Sequence, residues 1–170
     1  MRALAVRVLA AILLSTALCG RAQAATPKIH SFTNLCGATT AISFTVTDDT
    51  QTRMPGSATC SFSLDITTGP NQGSITLTAP SITGSTGVIP GNAFWASCSA
   101  TSDPSAIFTT LGTVQLGSSA ASCATIAANT NNKTVTFVVT LYLDDTPDAT
   151  AFPGDPAYVS AKLAVTANAP

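Results

Sequence analysis

The residues able to do chemistry in this chain are few, and their spacing narrows them further. Cysteine occurs five times, at 19, 36, 60, 98 and 123. None forms a C-x-x-C pair and no histidine stands near them, which argues against the tetrahedral zinc sites such groupings build. The one histidine, His30, is accompanied by no G-x-S-x-G elbow anywhere in the chain, so a hydrolytic triad has no visible second member. It reads as a mobile residue close to a chain terminus. The eight acids are all aspartates. Glycoside hydrolysis needs two carboxyl groups in different environments, yet Asp65 is the one acid inside a strand pattern, on its wet face. Asp103 precedes Pro104 in a Ser/Asp/Pro cluster, where a carboxylate suits hydrogen bonds to nearby backbone groups. These residues describe a protein that is not an enzyme and takes no cofactor.

Two further features suggest binding. Asp144, Asp145, Asp148 and Asp155 crowd the connection between the last two strands, and Ca²⁺ wants six to eight such oxygens. The group lacks the Gly and Glu positions of an EF-hand, so a solvated hairpin loop is the simpler reading and calcium the weak alternative. Asp48-Asp49 is a smaller case of the same kind. Trp95 is the single tryptophan, and alternation points it away from its neighbours Phe94 and Cys98. It is a possible ligand contact, stacking a sugar or a partner, although burial in the core is the commoner state of a lone large aromatic. Asn132-Lys133-Thr134 formally matches an N-glycosylation sequon.

The surrounding chain must hold these residues, and its composition limits how. Of 170 residues, 9% are charged and 45% hydrophobic, with net charge −1. So weak a charge excludes the electrostatic footprint of a nucleic-acid binder and a polybasic membrane anchor. Residues 1–24 read as a signal peptide: Arg2 and Arg7, the apolar run Val8 to Leu18, then Ala22-Gln23-Ala24. The run is shorter than the ~20 residues of a membrane span. A lipid anchor on Cys19 is the alternative, poorly served by the bulky Leu18. Cleavage after Ala24 leaves one domain, residues 25–170, with no transmembrane segment. It would be exported to the periplasm, cell surface or medium, with Lys28, Arg53, Lys133 and Lys162 against the eight aspartates.

Export makes disulfides the default use of Cys36, Cys60, Cys98 and Cys123. Four cysteines allow three connectivities. Cys36–Cys60 with Cys98–Cys123 is favoured because sequence neighbours tend to be spatial neighbours in sheets, each bridge contributing about 3 kcal/mol.

Strict alternation recurs along the chain. It runs through Ile42, Phe44, Val46; Cys60, Phe62, Leu64, Ile66; Ile75, Leu77; Phe94, Ala96, Cys98; and Val114, Leu116. The longest case is Val135, Phe137, Val139, Leu141, Leu143, and Val159, Ala161, Leu163, Val165 make the last. Period two means one face buried and one wet. Turn clusters separate the runs at Met54-Pro55-Gly56-Ser57, Gly69-Pro70-Asn71, Ile89-Pro90-Gly91-Asn92, Gly117-Ser118-Ser119 and Pro153-Gly154-Asp155-Pro156. The pattern predicts an all-β sandwich of about 7–8 antiparallel strands. Residues 25–35 offer only Ile29, Phe32 and Leu35, spaced by three, and no alternating strand. The wet faces consist of Ser, Thr and Ala and lack the charges that block edge-to-edge pairing.

The closing run Phe152-Pro-Gly-Asp-Pro-Ala-Tyr158-Val-Ser-Ala-Lys-Leu-Ala-Val-Thr-Ala167 resembles the last strand of secreted pilin-like domains of the spore coat U and archaic chaperone–usher type. The resemblance implies an immunoglobulin-like sandwich and a structural or adhesive role in a surface fibre (fimbrium) or coat. Its partners would be other copies, other fibre subunits or a periplasmic chaperone. The alternative from the residues is a secreted carbohydrate- or ligand-binding module using Trp95.

Overall fold

A computed structural model describes residues 25–36, 42–46, 53–83, 91–117, 119–144 and 157–170. The expected leader at 1–24, Asp48-Asp49, and Asp145, Asp148 and Asp155 lie outside the described residues. Among the described residues ten strands run in chain order, against the 7–8 expected: β1 (Lys28–Asn34), β2 (Ile42–Val46), β3 (Met54–Thr67), β4 (Gly73–Thr83), β5 (Phe94–Ser102), β6 (Phe108–Thr110), β7 (Thr113–Gln115), β8 (Ala121–Ile126), β9 (Lys133–Leu143) and β10 (Ala157–Asn168). They form two five-stranded sheets, β1-β3-β9-β5-β7 and β2-β10-β4-β8-β6, and the pairings are antiparallel. No helix among the described residues is long and apolar enough to cross a membrane.

Every odd-numbered strand is in the first sheet and every even-numbered strand in the second. Each connection therefore crosses from one layer to the other, and consecutive strands never pair. This corrects the ground on which the cysteine pairing was favoured, because strands adjacent in sequence lie in opposite layers and not side by side in one sheet. It also corrects the hairpin placed between the last two strands, because β9 and β10 belong to different sheets.

The inner faces share one core. On β9, Val135, Phe137, Val139, Leu141 and Leu143 are fully buried while the residues between them are not, as period two requires. Phe62 of β3 stands opposite Phe137, and their rings stack at 5.5 Å. Phe32 of β1 lies 5.6 Å from Phe62 and 6.5 Å from Phe137. Phe108, from β6 of the opposite sheet, lies 5.4 Å from Phe137, so one row of rings joins the two layers.

Bulges account for the strands that alternation misses. On β1, Ile29 faces Ile66 and Ser31 faces Asp65, which leaves His30 as the extra residue. The insertion returns Ile29 and Phe32 to the same side, and both pack on the core; their spacing by three is a strand with a bulge. On β8, Ser122 and Ala124 face adjacent residues of β4, and Cys123 is the extra residue. Cys123 and Ala124 are consequently both buried. The Met54-Pro55-Gly56-Ser57 cluster is not a turn but the start of β3. Between Pro55, opposite Tyr142, and Thr59, opposite Thr140, β3 carries two more residues than its partner. Within this stretch the Ser57 hydroxyl accepts the Ser43 N–H of β2 at 3.0 Å, occupying a donor of that sheet's edge strand. In β4, Pro80 falls where the register against β10 shifts, between the Ser81–Lys162 and Thr78–Ala164 pairs, a position where a missing N–H breaks no ladder. Gly73 opens β4 where a Cβ would stand 2.8 Å from the Asn168 carbonyl oxygen. Gly112, at φ 84°, makes the two-residue passage from β6 to β7.

Two corners at one end of the molecule are tied by a buried pair of threonines. The Thr68 hydroxyl donates to the Ala127 carbonyl at 2.7 Å and accepts the Thr130 N–H at 3.0 Å. The Thr68 N–H in turn reaches the hydroxyl and carbonyl oxygens of Thr130, both at 3.1 Å. Thr68→Val keeps the shape and strands two buried backbone groups, each costing about 1–3 kcal/mol. The expected loss is about 2–4 kcal/mol, read as a lower urea midpoint at unchanged slope. A loss below about 1 kcal/mol would show that water serves these groups equally well.

Candidate functional site

The outward positions of β3, β9 and β5 form one face. Ser61 and Ser63 stand opposite Val138 and Thr136, while Ser97 and Ser99 stand opposite Thr140 and Val138 on the other flank. Asp65, opposite Thr134, closes one end. The other end carries Trp95, whose neighbours are Tyr142 on β9 and Gln115 on β7. Between those ends the three strands present Ser, Thr and Val and no charged side chain.

Trp95 is on this outer face, opposite to Phe94 and Cys98 as the alternation predicts, and not in the core. It is half-buried, and the Arg53 guanidinium carbon sits 4.2 Å from its ring centroid. Arg53 precedes β3 with φ 50°; this left-handed conformation is uncommon for a side-chain-bearing residue. The cation covers one ring face, an arrangement worth about 0.5–1 kcal/mol at exposed sites. The Tyr142 hydroxyl lies 3.3 Å from that of Ser97, and the Gln115 amide donates to the Asn92 carbonyl at 2.7 Å. Among the described residues the indole N–H of Trp95 and one carboxylate oxygen of Asp65 are buried without a hydrogen-bond partner. They belong to opposite ends of the face and form no joint site. Arg53 and Tyr142 escaped the sequence reading because alternation reports which face a residue occupies and not which strand lies beside it.

The other candidates fall apart spatially. His30 is not a mobile terminal residue: its ring Nε2 is hydrogen-bonded to the Thr67 hydroxyl at 2.8 Å, and that hydroxyl also accepts the Asn132 N–H at 2.9 Å. Asp103 acts as the turn residue expected of it. Its two carboxylate oxygens accept the N–H groups of Ile107 at 3.0 Å and Phe108 at 2.9 Å, while its carbonyl accepts Ala106 N–H. Asp144 follows β9 directly and is nearly buried, and its N–H donates to the Ala93 carbonyl at 2.8 Å. Among the described residues no three His, Cys, Asp or Glu side chains gather to hold a metal.

Cys98 of β5 and Cys123 of β8 are joined by a disulfide, Cα to Cα 5.5 Å, across the two sheets. The bulge at Cys123 turns its sulfur inward to meet Cys98. Cys36 and Cys60 are thiols here, brought side by side at the end of β1. The Asn34 side chain accepts the Cys36 N–H at 2.8 Å, and the turn so formed sets the Cys36 sulfur 3.0 Å from the Ser61 N–H. Thr59 and Ser61 carbonyls lie at 3.8 and 4.0 Å from the same sulfur, so it straddles the backbone of Cys60. The Cys60 thiol is pushed up to about 12, first by burial, then by the hydrogen bond and charge of Cys36.

Comparison of the chain with protein-family models, curated proteins and solved structures finds no match.

Proposed function

We propose that the chain is an exported structural or adhesive protein of the cell surface, an immunoglobulin-like sandwich of pilin or coat-subunit kind that acts through strand pairing and sheet-face contact. The observation that carries the reading is the outer face of β3, β9 and β5, where Ser61, Ser63, Ser97, Ser99, Thr136, Val138 and Thr140 form a surface without charge between Asp65 and Trp95. Such a face has little electrostatic repulsion to overcome when it meets another of its kind, and its short hydroxyl side chains lose little rotamer entropy on contact. The second reading is a glycan-binding module. It is favoured by the buried indole N–H of Trp95 that has no partner among the described residues, and it requires Arg53 to leave the ring or the sugar to use its edge.

One measurement separates the two. Sedimentation of the exported chain over a concentration series should show self-association, and Ser63→Lys with Ser99→Lys should shift it to monomer while the melting temperature stays within a few degrees. A chain that is monomeric throughout, binds a glycan array and loses that binding in Trp95→Ala would replace the structural reading by the second.

A further inference from the structure

We propose that Cys36 and Cys60 are a redox-operated clasp on the edge strand β1, with Cys36 exchanging with an outside disulfide and Cys60 closing the bond. The inference goes beyond the surface role and does not depend on it. Its basis is the asymmetry of the pair. Cys36 is half-exposed, held at a defined turn by Asn34 and by the Ser61 N–H, and lies where a disulfide in solution can reach it. Cys60 is 3% exposed and faces the core from β3, with the Cys36 sulfur set against the backbone on either side of it. With its thiol pushed up to about 12, chiefly by burial, Cys60 holds far less thiolate at neutral pH than the few per cent of an ordinary cysteine.

The chemistry balances with a disulfide oxidant such as oxidised glutathione or the active-site disulfide of a thiol oxidoreductase. The Cys36 thiolate attacks one sulfur of the oxidant, the oxidant's S–S bond breaks, and half of it leaves as a thiolate. Cys60 then gives its proton to solvent and attacks the Cys36 sulfur, releasing the second half. Two protein thiols have lost two electrons and two protons, and the oxidant has become two thiols. The slow second step follows from the burial of Cys60. Reduction reverses the order, with attack on the accessible Cys36 sulfur. Cys98 and Cys123, 1% and 0% exposed, offer no such entry.

The mechanical consequence falls on β1. Among the described residues it is an edge strand paired with β3 alone, from Lys28 opposite Thr67 to Asn34 opposite Phe62. The clasp lies just past Asn34, where the Leu35 N–H still donates to the Ser61 carbonyl at 2.9 Å, so closing it adds a covalent tie at the end of the β1 ladder.

The test uses the full chain in glutathione buffers of graded ratio, with thiols trapped by N-ethylmaleimide and read by peptide mass spectrometry. Cys36–Cys60 should open and close over a range in which Cys98–Cys123 stays bonded. In the dithiol form Cys36 should be labelled at least about tenfold faster than Cys60. Cys60→Ser should hold a lasting glutathione adduct on Cys36, whereas Cys36→Ser should leave Cys60 unmodified in the folded chain. Amide exchange along β1 should slow about tenfold on closure, with β8 unchanged. Raising pH should weaken the dithiol form from about pH 8.5 toward 12, because the unfolded chain ionises Cys60 first, and should spare the closed form. Equal labelling of the two thiols, glutathione that stays on Cys36 in the wild type, or β1 exchange indifferent to closure would each overturn the proposal.

Discussion

Phe137→Ala is expected to lower stability by about 4 kcal/mol, within the range for truncating a fully buried aromatic. Phe137 is 0% exposed and sits on β9, which is flanked by β3 and β5. Its ring is within 5.5 Å of Phe62 and 5.4 Å of Phe108, and Phe108 comes from the opposite sheet. Alanine removes the member through which the rings of the two layers touch. The strands around the vacancy are held on both sides by ladder hydrogen bonds, so the site collapses poorly and the cavity term is kept. Against a total of 5–15 kcal/mol this is a large fraction, expected as a melting-temperature drop on the order of 10 °C. Val138→Ala, one residue away on the outer face, serves as the control and should cost under about 1 kcal/mol. A Phe137→Ala loss as small as the control's would mean that the row of rings does not bind the layers.

The second large effect is removal of the inter-sheet disulfide. Cys98→Ala with Cys123→Ala should cost about 3.5 kcal/mol in the chain-entropy model for a sequence separation of 25. The alanine pair is chosen over serine because both positions are buried, and a hydroxyl there would need a partner the core does not supply. In the wild type, dithiothreitol should leave the bond intact until denaturant opens the core, since neither sulfur is accessible. Equilibrium unfolding in urea reads the first effect, and thiol release against urea concentration reads the second. Release in native buffer at the rate of a small-molecule disulfide would contradict the burial.

The faces of the long strands were legible in the sequence. Val135 through Leu143 alternates without interruption, and the same residues are buried and half-buried in turn. Asp103 was legible because its hydrogen bonds reach only four and five residues along the chain, a range over which backbone geometry is local. The candidate site was half legible: alternation placed Trp95 outside, but Arg53 reaches it from the start of another strand. His30 misled because proximity to an expected cleavage point was read as mobility, whereas Thr67, 37 residues away, fixes it.

What the chain determined alone is thus the existence of strands and, where period two is unbroken, the side that faces inward. Tertiary structure decided which strands pair, because the hydrophobic gain from an apolar face is nearly indifferent to the partner that covers it. Strands that alternate between two layers leave no hairpin signal to read. The bulges belong to the same category. The extra residue in β1 or β8 is defined only against the strand opposite, and a one-residue slip exchanges the two faces. For that reason the inward turn of Cys123 toward Cys98, and the placing of Cys36 beside Cys60, follow from pairing register and from no pattern within either segment.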